Sequence, residues 1–314
     1  MSGIVPAALE QLMSDLVAGG SPRDTDLPLF SDLTRPVAAW LREHWLDIPV
    51  ETRADILARA MDAAEEDVTL NFLELGRTGL GDPDPEVRER AVLSLWETDD
   101  RDVAARLSAL LDSDPAPGVR AAAAANLHGF VALHELGRLP GDEGERAIAS
   151  ARRAYQDSGE PVEVRAAALE ALGPCSQPWV AGLIADAYES GESSLRVSAV
   201  RAMGASGLER WTEYLADQLY ADDEELRLEA AVAAGTLGSE DLVPPLGELL
   251  ADEDFDVVYA AIEALGEIGG EEAAELLGDF RQSAPAELIE AVDIALEIAA
   301  HGGLFRRFGD LASP

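Results

Sequence analysis

Four histidines (His44, His128, His134 and His301) and one cysteine, Cys175, are the whole supply of imidazole and thiol in this 314-residue chain. Imidazole and thiolate are the usual nitrogen and sulfur ligands of zinc, so metal chemistry has few places to occur. Only His134 is followed by an acid, Glu135, and only His128, His134 and Glu135 fall close enough in sequence to share an ion. The single cysteine excludes an internal disulfide framework and a four-thiolate zinc site. In its setting between Pro174 and Ser176 it reads as a small buried apolar residue. All 23 bases are arginine, so there is no lysine to serve a P-loop, a Schiff base or general-base catalysis. No nucleophile elbow, dinucleotide fingerprint or H-E-x-x-H pattern occurs, and carboxylates are so numerous that no pair of them stands out. The expectation is a chain with no catalytic residue, no metal and no cofactor.

The charge balance narrows the partners. Sixty-one acids stand against 23 bases, a formal charge of -38, which repels phosphate backbones and argues against nucleic acid as a ligand. The adjacent arginines Arg152-Arg153 and Arg306-Arg307 are the only hints of a basic patch. No run of 18 apolar residues suggests a membrane span, and the first twenty residues do not read as a signal peptide. The expected location is the cytoplasm, with no membrane contact. Spread over the roughly 12,600 Å² expected for this mass, the net charges stand about 18 Å apart, beyond the ~8 Å Debye length, so molar salt is not demanded by charge alone. A GC-rich genome would explain the missing lysine, but low lysine, scarce cysteine and abundant acid together point to an acidic protein of a salt-adapted, halophilic host.

What positions the side chains is a repeat. Residues 164–173 read VRAAALEALG, and the phrase returns as LRVSAVRAMG (195–204), LRLEAAVAAG (226–235) and VVYAAIEALG (257–266) at a constant spacing of 31. Apolar residues at offsets 0, 4, 7 and 8 define one helix face, with alanine always at offsets 4 and 7, small enough for a neighbouring helix to approach closely. Glycine at offset 9 (Gly173, Gly204, Gly235, Gly266) reads as a helix stop. Acidic or proline-bearing loops before each copy supply caps and a charge suited to a helix start. A second amphipathic segment lies between copies, as in PWVAGLIADAYE (178–189), so each unit is a helix pair that can bury its apolar stripe only by stacking. Weaker copies begin at residues 52, 87, 119 and 288, and the longest spacing, from 119 to 164, places an insert near 129–144, read as a loop or extra turn. The predicted organisation is an N-terminal helix and loop (1–34), a repeat array (35–300) and a C-terminal tail (301–314).

An acid followed by V-R-x-x-A-x-x-A-L-G and a further amphipathic helix resembles the HEAT repeats of the short phycobilisome-lyase type. The resemblance, over about residues 35 to 300, implies an all-α fold, an α-solenoid of stacked antiparallel helix pairs forming a HEAT-like superhelix. It is weak for function, because such repeats serve adaptors, bilin lyases and a hydroxylase alike. The deoxyhypusine hydroxylase branch surrounds a di-iron centre with several His-Glu dipeptides, and the single His134-Glu135 here does not supply that set.

Three surfaces are candidates for binding. Arginine at offset 1 recurs as Arg53, Arg88, Arg120, Arg165, Arg196 and Arg227, and stacking sets these side chains in a row about 8 to 10 Å apart. Such a row is an anion-binding ladder or, as the resemblance implies and as we favour, a structural ladder in which each arginine holds carboxylates of its own or the adjacent loop; Arg196 is expected to do so like the others. Acidic loops along the same edge (Asp82 and Asp84, Asp112 and Asp114, Glu189 and Glu192, Asp222 to Glu225, Asp252 to Asp254) form a carboxylate ridge that caps helices or receives a basic partner. On the recurring helices, offset 6 holds Glu170, Arg201, Val232 and Glu263, and offset 2 includes Leu228 and Tyr259; these residues either face a partner or, at offset 2, pack on the first helix. In the tail, Phe305, Arg306, Arg307 and Phe308 form a peptide that docks elsewhere or folds back to cap the last repeat. The reading is a non-enzymatic protein-binding scaffold, adaptor or assembly factor for another protein. Its alternatives are an accessory subunit of a bilin lyase and a taxis adaptor of a salt-adapted archaeon.

A salty host carries a consequence for stability. Raising sodium chloride from ~0.01 M, where the Debye length is about 30 Å, to ~1 M, where it is about 3 Å, is expected to raise the melting temperature by screening the stacked acids. A melting temperature that does not move with salt would assign the missing lysine to genome composition.

Overall fold

The computed structural model describes residues 5–301, and no strand occurs among them. A first helix, α1 (Ala7–Val17), precedes eight helix pairs. They are α2 (Arg35–His44) with α3 (Val50–Glu66), α4 (Leu73–Gly79) with α5 (Pro85–Leu93), α6 (Arg101–Ser113) with α7 (Pro117–Glu135), and α8 (Glu143–Gln156) with α9 (Val162–Leu172). There follow α10 (Pro178–Glu189) with α11 (Ser193–Ala205), α12 (Thr212–Gln218) with α13 (Glu224–Leu237), α14 (Val243–Leu249) with α15 (Phe255–Ile268), and α16 (Glu271–Arg281) with α17 (Ile289–Ala300). The recurring phrase lies on the second helix of each pair. Among the described residues, no helix is long and apolar enough to cross a membrane.

The chain packs as two compact units, Met1–Ala171 and Leu172–Pro314; the spacing of the repeat gives no sign of this division. In the second unit α11, α13, α15 and α17 pack one on the next in a row, and each also packs on the first helix of its own pair. In the first unit α3, α5 and α7 form the corresponding row. The alanines at offsets 4 and 7 are the reason the row is tight. Ala199, Ala202, Ala230, Ala233, Ala261 and Ala264 are each no more than 2% exposed, and a larger side chain there would hold adjacent helices apart.

The glycines at offset 9 do not stop these helices, contrary to the sequence reading, except that Gly173 lies just past α9. Gly204, Gly235 and Gly266 lie inside α11, α13 and α15. Their role is close approach. A Cβ on Gly204 would sit 2.7 Å from the Cα of Ala233, one on Gly235 would sit 2.9 Å from the Cα of Ala264, and one on Gly266 would sit 2.9 Å from the Cα of Ala295. Each glycine therefore meets the offset-7 alanine of the next repeat. For α13 the stop is Gly238, whose left-handed conformation (φ 72°) a side chain would oppose.

Two further expectations change. The stretch 19–34, read as a loop, contains a 3₁₀ helix, Asp24–Phe30, that buries Leu27 and Phe30 and packs on α1 and α3. Arg23 and Asp26 pair across its first turn, with Nη2 2.8 Å from Oδ1. The insert near 129–144 is largely an extension of α7, which runs for 19 residues before turning at Leu136 to Asp142. Buried Phe130 and Val131 continue the apolar face, so the helix has no reason to end at Gly129.

Gly204→Ala sets two effects in opposition. Alanine favours a helix interior by about 1 kcal/mol over glycine, whereas a methyl pressed into the Ala233 backbone costs about 1–3 kcal/mol. The expected outcome is a less stable protein, by up to about 2 kcal/mol, measured by urea denaturation.

Candidate functional site

The recurring arginine lies four residues past the helix N-cap, and its guanidinium reaches in two directions. Arg88, on α5, donates through Nη1 to the backbone carbonyl of Asp82 at 2.8 Å, and through Nε and Nη2 to the two carboxylate oxygens of Asp114 at 2.7 and 2.8 Å. Asp114 belongs to the loop entering α7, one repeat on. Its Oδ1 also accepts the amide of Ala116, the N-cap residue of that helix, at 2.9 Å. One side chain thus closes its own loop and grips the next.

The same joint recurs. Arg53 donates to the Ile48 carbonyl at 2.6 Å and bidentately to Asp82 at 2.8 and 3.1 Å. Asp82 in addition accepts the Trp45 indole N–H at 2.7 Å and the Asp84 amide at 2.9 Å. Arg227 donates to the Ala221 carbonyl at 2.9 Å and bidentately to Asp252 at 2.7 and 3.0 Å, while Asp252 accepts the Asp254 amide. Arg120 uses Glu160 in place of aspartate, at 2.8 Å, together with the Asp114 carbonyl. The planar fork of arginine serves two oxygens of a carboxylate and a third partner at once, which an ammonium cannot do with the same geometry.

Electrostatics follow from these contacts. The Arg227 hydrogen bond holds the Asp252 carboxyl below the ordinary aspartate range, against the opposing effect of burial. At Asp114 burial alone would raise the carboxyl, and Arg88 with the Ala116 amide outweighs it to leave the group lowered. Four rungs, Arg53, Arg88, Arg120 and Arg227, are therefore engaged within the chain rather than turned toward an external anion.

Arg196 departs from expectation. The aspartate that would meet it lies two residues before the N-cap, and in the next repeat that position is Ala221. Its guanidinium instead lies over the Tyr188 ring, 5.9 Å from the centroid. Arg165 is placed likewise over Tyr155, at 5.7 Å, and donates to the Tyr155 carbonyl at 3.1 Å.

The histidines fall apart as a metal set. His128 donates from Nδ1 to the Glu170 carbonyl at 3.0 Å, while His134 packs against Gly144, where an added Cβ would meet its ring at 2.3 Å. Among the described residues no group of three His, Cys, Asp or Glu side chains is placed to hold an ion. Cys175 is buried.

The residues proposed to face a partner divide between the units. Glu170, half-buried on α9, belongs to the first; Arg201, Leu228, Tyr259 and Glu263 lie on the second-helix row of the other. Arg201 is exposed but tied to Glu229 of the next helix, Nε to Oε2 2.7 Å. Leu228 is half-buried, between the two roles considered for offset 2, and Tyr259 is 41% exposed. Two apolar neighbours complete the surface: Val232, 47% exposed, and Ile294, 53% exposed. Ile294 was missed because the last copy of the phrase is degenerate, although it occupies offset 6. Acids surround this row. The helices α13, α15 and α17 carry Glu229, Glu263, Glu267, Glu290 and Glu297 among others, and their one base, Arg227, is engaged by Asp252. Burial, followed by the charge of Glu263, pushes the Glu267 carboxyl above the ordinary range.

In the first unit, Val68 and Trp96, both exposed, flank a cleft of about 350 Å³ floored by Phe72 and Leu95. Nothing in the repeat pattern marks these two residues, which lie in loops that follow second helices. Phe305, Arg306, Arg307 and Phe308 lie outside the described residues.

Comparison with known proteins agrees with the helix pairs. A family model for HEAT repeats matches residues 73–128 and 212–297. No curated protein matches the chain in sequence. Among solved structures, the complex of CpcE and CpcF of phycocyanin lyase from Nostoc sp. is 17% identical, covering 72% of this chain and 94% of that one, with a TM-score of 0.47. YibA of E. coli is 16% identical, covering 90% and 98%, with a TM-score of 0.46. Human deoxyhypusine hydroxylase is 20% identical, covering 93% and 96%, with a TM-score of 0.34.

The ladder makes a quantitative expectation. Asp82→Ala strands a buried guanidinium and is expected to lower stability by about 3 kcal/mol. Ala221→Asp supplies the carboxylate that Arg196 lacks and is expected to add about 1 kcal/mol, a gain that disappears when Arg196 is also alanine. Urea unfolding of Asp82→Ala, and of the four-member cycle of Ala221→Asp and Arg196→Ala, measures the two effects.

Proposed function

We propose that the chain, in which HEAT repeats are recognised over residues 73–128 and 212–297, is a non-enzymatic scaffold that binds another protein through the second-helix row of its C-terminal unit. The observation that carries this reading is the exposed apolar line Val232, Tyr259 and Ile294 on three adjacent helices. Stacking buries the alanine face of these same helices almost completely, so large apolar side chains left outside are not demanded by the core. A tyrosine and two aliphatic residues framed by carboxylates are the composition of a binding centre with a polar rim.

Within the C-terminal unit the arginine ladder supports the assignment through Arg227, which Asp252 takes up. Its rungs at Arg53, Arg88, Arg120 and Arg227 are joints of the scaffold. A rigid row is a suitable support for a binding surface, because little ordering remains to oppose association. A bilin-lyase subunit and a taxis adaptor are narrower forms of the same proposal, distinguished by whether the recovered client is a bilin-carrying protein or a component of the taxis machinery.

Affinity capture from the host's own extract tests it, with Val232→Glu and Ile294→Glu as comparisons. The expected result is a protein whose recovery falls at least ~10-fold with each variant, equivalent to about 1.4 kcal/mol, while melting temperatures stay within a few degrees of the parent. Equal recovery of every bound protein by parent and variants would overturn the assignment of this face.

A further inference from the structure

The α13–α15–α17 face has a charge problem that its own side chains do not solve. Glu263 and Glu267 stand one turn apart on α15, and no base on α13, α15 or α17 is left to neutralise them. The Glu267 carboxylate is half-buried and lies against the helix backbone of α13, 2.5 Å from where a Cβ on Gly235 would be. Beside the pair are the exposed Tyr259 and Ile294. The complementary ligand is a short segment that places arginines between large apolar side chains.

The chain carries one such segment. Leu304-Phe305-Arg306-Arg307-Phe308 follows α17 after Gly302 and Gly303, and the sequence from 302 to 314 contains two arginines against one aspartate, in a protein of net charge -38. Reach permits contact within the same unit. Extended chain advances at most about 3.4 Å per residue, which bounds the reach from His301 at about 13 Å for residue 305 and about 24 Å for residue 308. Ile294 lies seven residues back along α17, about 10 Å from the same point at 1.5 Å per residue. By the 31-residue register Glu263 is level with Ile294 and Glu267 with Ile298 on the adjacent helix. An interaxial distance of 8–10 Å brings both glutamates within about 15 Å of the helix end.

We propose that residues 304–308 dock on the α13–α15–α17 face of their own chain, with Arg306 and Arg307 meeting Glu263 and Glu267 and the phenylalanines covering Tyr259 and Ile294. The segment is then an internal occupant of the partner-binding row. A partner must displace it, and one that presents arginine or lysine between apolar residues is the kind the face selects. The inference rests on the reading of that row as the binding surface.

Disulfide trapping in the full-length chain tests it without any partner, so it can fail while partner capture succeeds, and the reverse. Cys175→Ala removes the native thiol, and Glu290→Cys with Gly309→Cys places one thiol on the face and one just past the segment. Docking raises their effective concentration above that of a free tail, so oxidation is expected to close an intramolecular bond at least ~10-fold faster than in the control pair Glu275→Cys with Gly309→Cys, on the first helix α16. Arg306→Glu with Arg307→Glu is expected to abolish that advantage, and ~1 M salt to reduce it several-fold. Equal rates for the two pairs, an advantage that survives the double charge reversal, or bonds formed only between chains would overturn the proposal.

Discussion

Gly204 against Ala233, Gly235 against Ala264 and Gly266 against Ala295 are the contacts on which the C-terminal unit depends. A helix pair of about 31 residues is too small to bury its own apolar stripe, so each pair is stable only as part of a stack. Backbone approaching backbone at these glycines sets how near consecutive second helices come. That distance fixes the register in which offset-2 and offset-6 side chains from successive repeats line up. In this unit the exposed row and the Arg227 joint are two readouts of one spacing.

Given the spacing, a protein with 38 more acids than bases needs a way to place carboxylates close together. The solution is local. Three of the four joints put an aspartate where it accepts a helix-start amide and an arginine from the preceding repeat, so the acid that shapes one loop also fastens the repeat before it. Arginine suits the position because one guanidinium reaches a carboxylate and a carbonyl together. Where the aspartate is replaced by alanine, at residue 221, the arginine remains and stacks on tyrosine instead. The joint is therefore modular, and a missing member changes its strength without removing the repeat.

The row proposed to bind a partner is distinct from this machinery. Four of the ladder arginines take carboxylates within the chain, whereas the second-helix row of the C-terminal unit combines exposed apolar side chains with Glu263 and Glu267, for which α13, α15 and α17 hold no spare base. As the proposed binding surface, such a face would favour basic amphipathic ligands over nucleic acid, because charge acts before any side-chain fit.

Much of this was written in the primary sequence. The 31-residue phrase, its alanines at offsets 4 and 7 and its arginine at offset 1 determined the helix pairs, their order and the side of each that would be buried, because helical periodicity is a local property and stacking follows from the stripe it leaves exposed. The tertiary structure alone decided what the glycine at offset 9 does: next to Ala233, 29 residues away, it is a point of close approach and not a stop. It also decided which carboxylate each arginine takes, 25 to 40 residues distant at the four joints, and that Arg196 finds an aromatic ring. It brought Ile294 beside Glu263 and Tyr259, which the faded last repeat concealed, and left Trp96 and Val68 at the rim of a cleft. These pairings join residues that periodicity treats alike. Only the packing distance between one helix and the next distinguishes them.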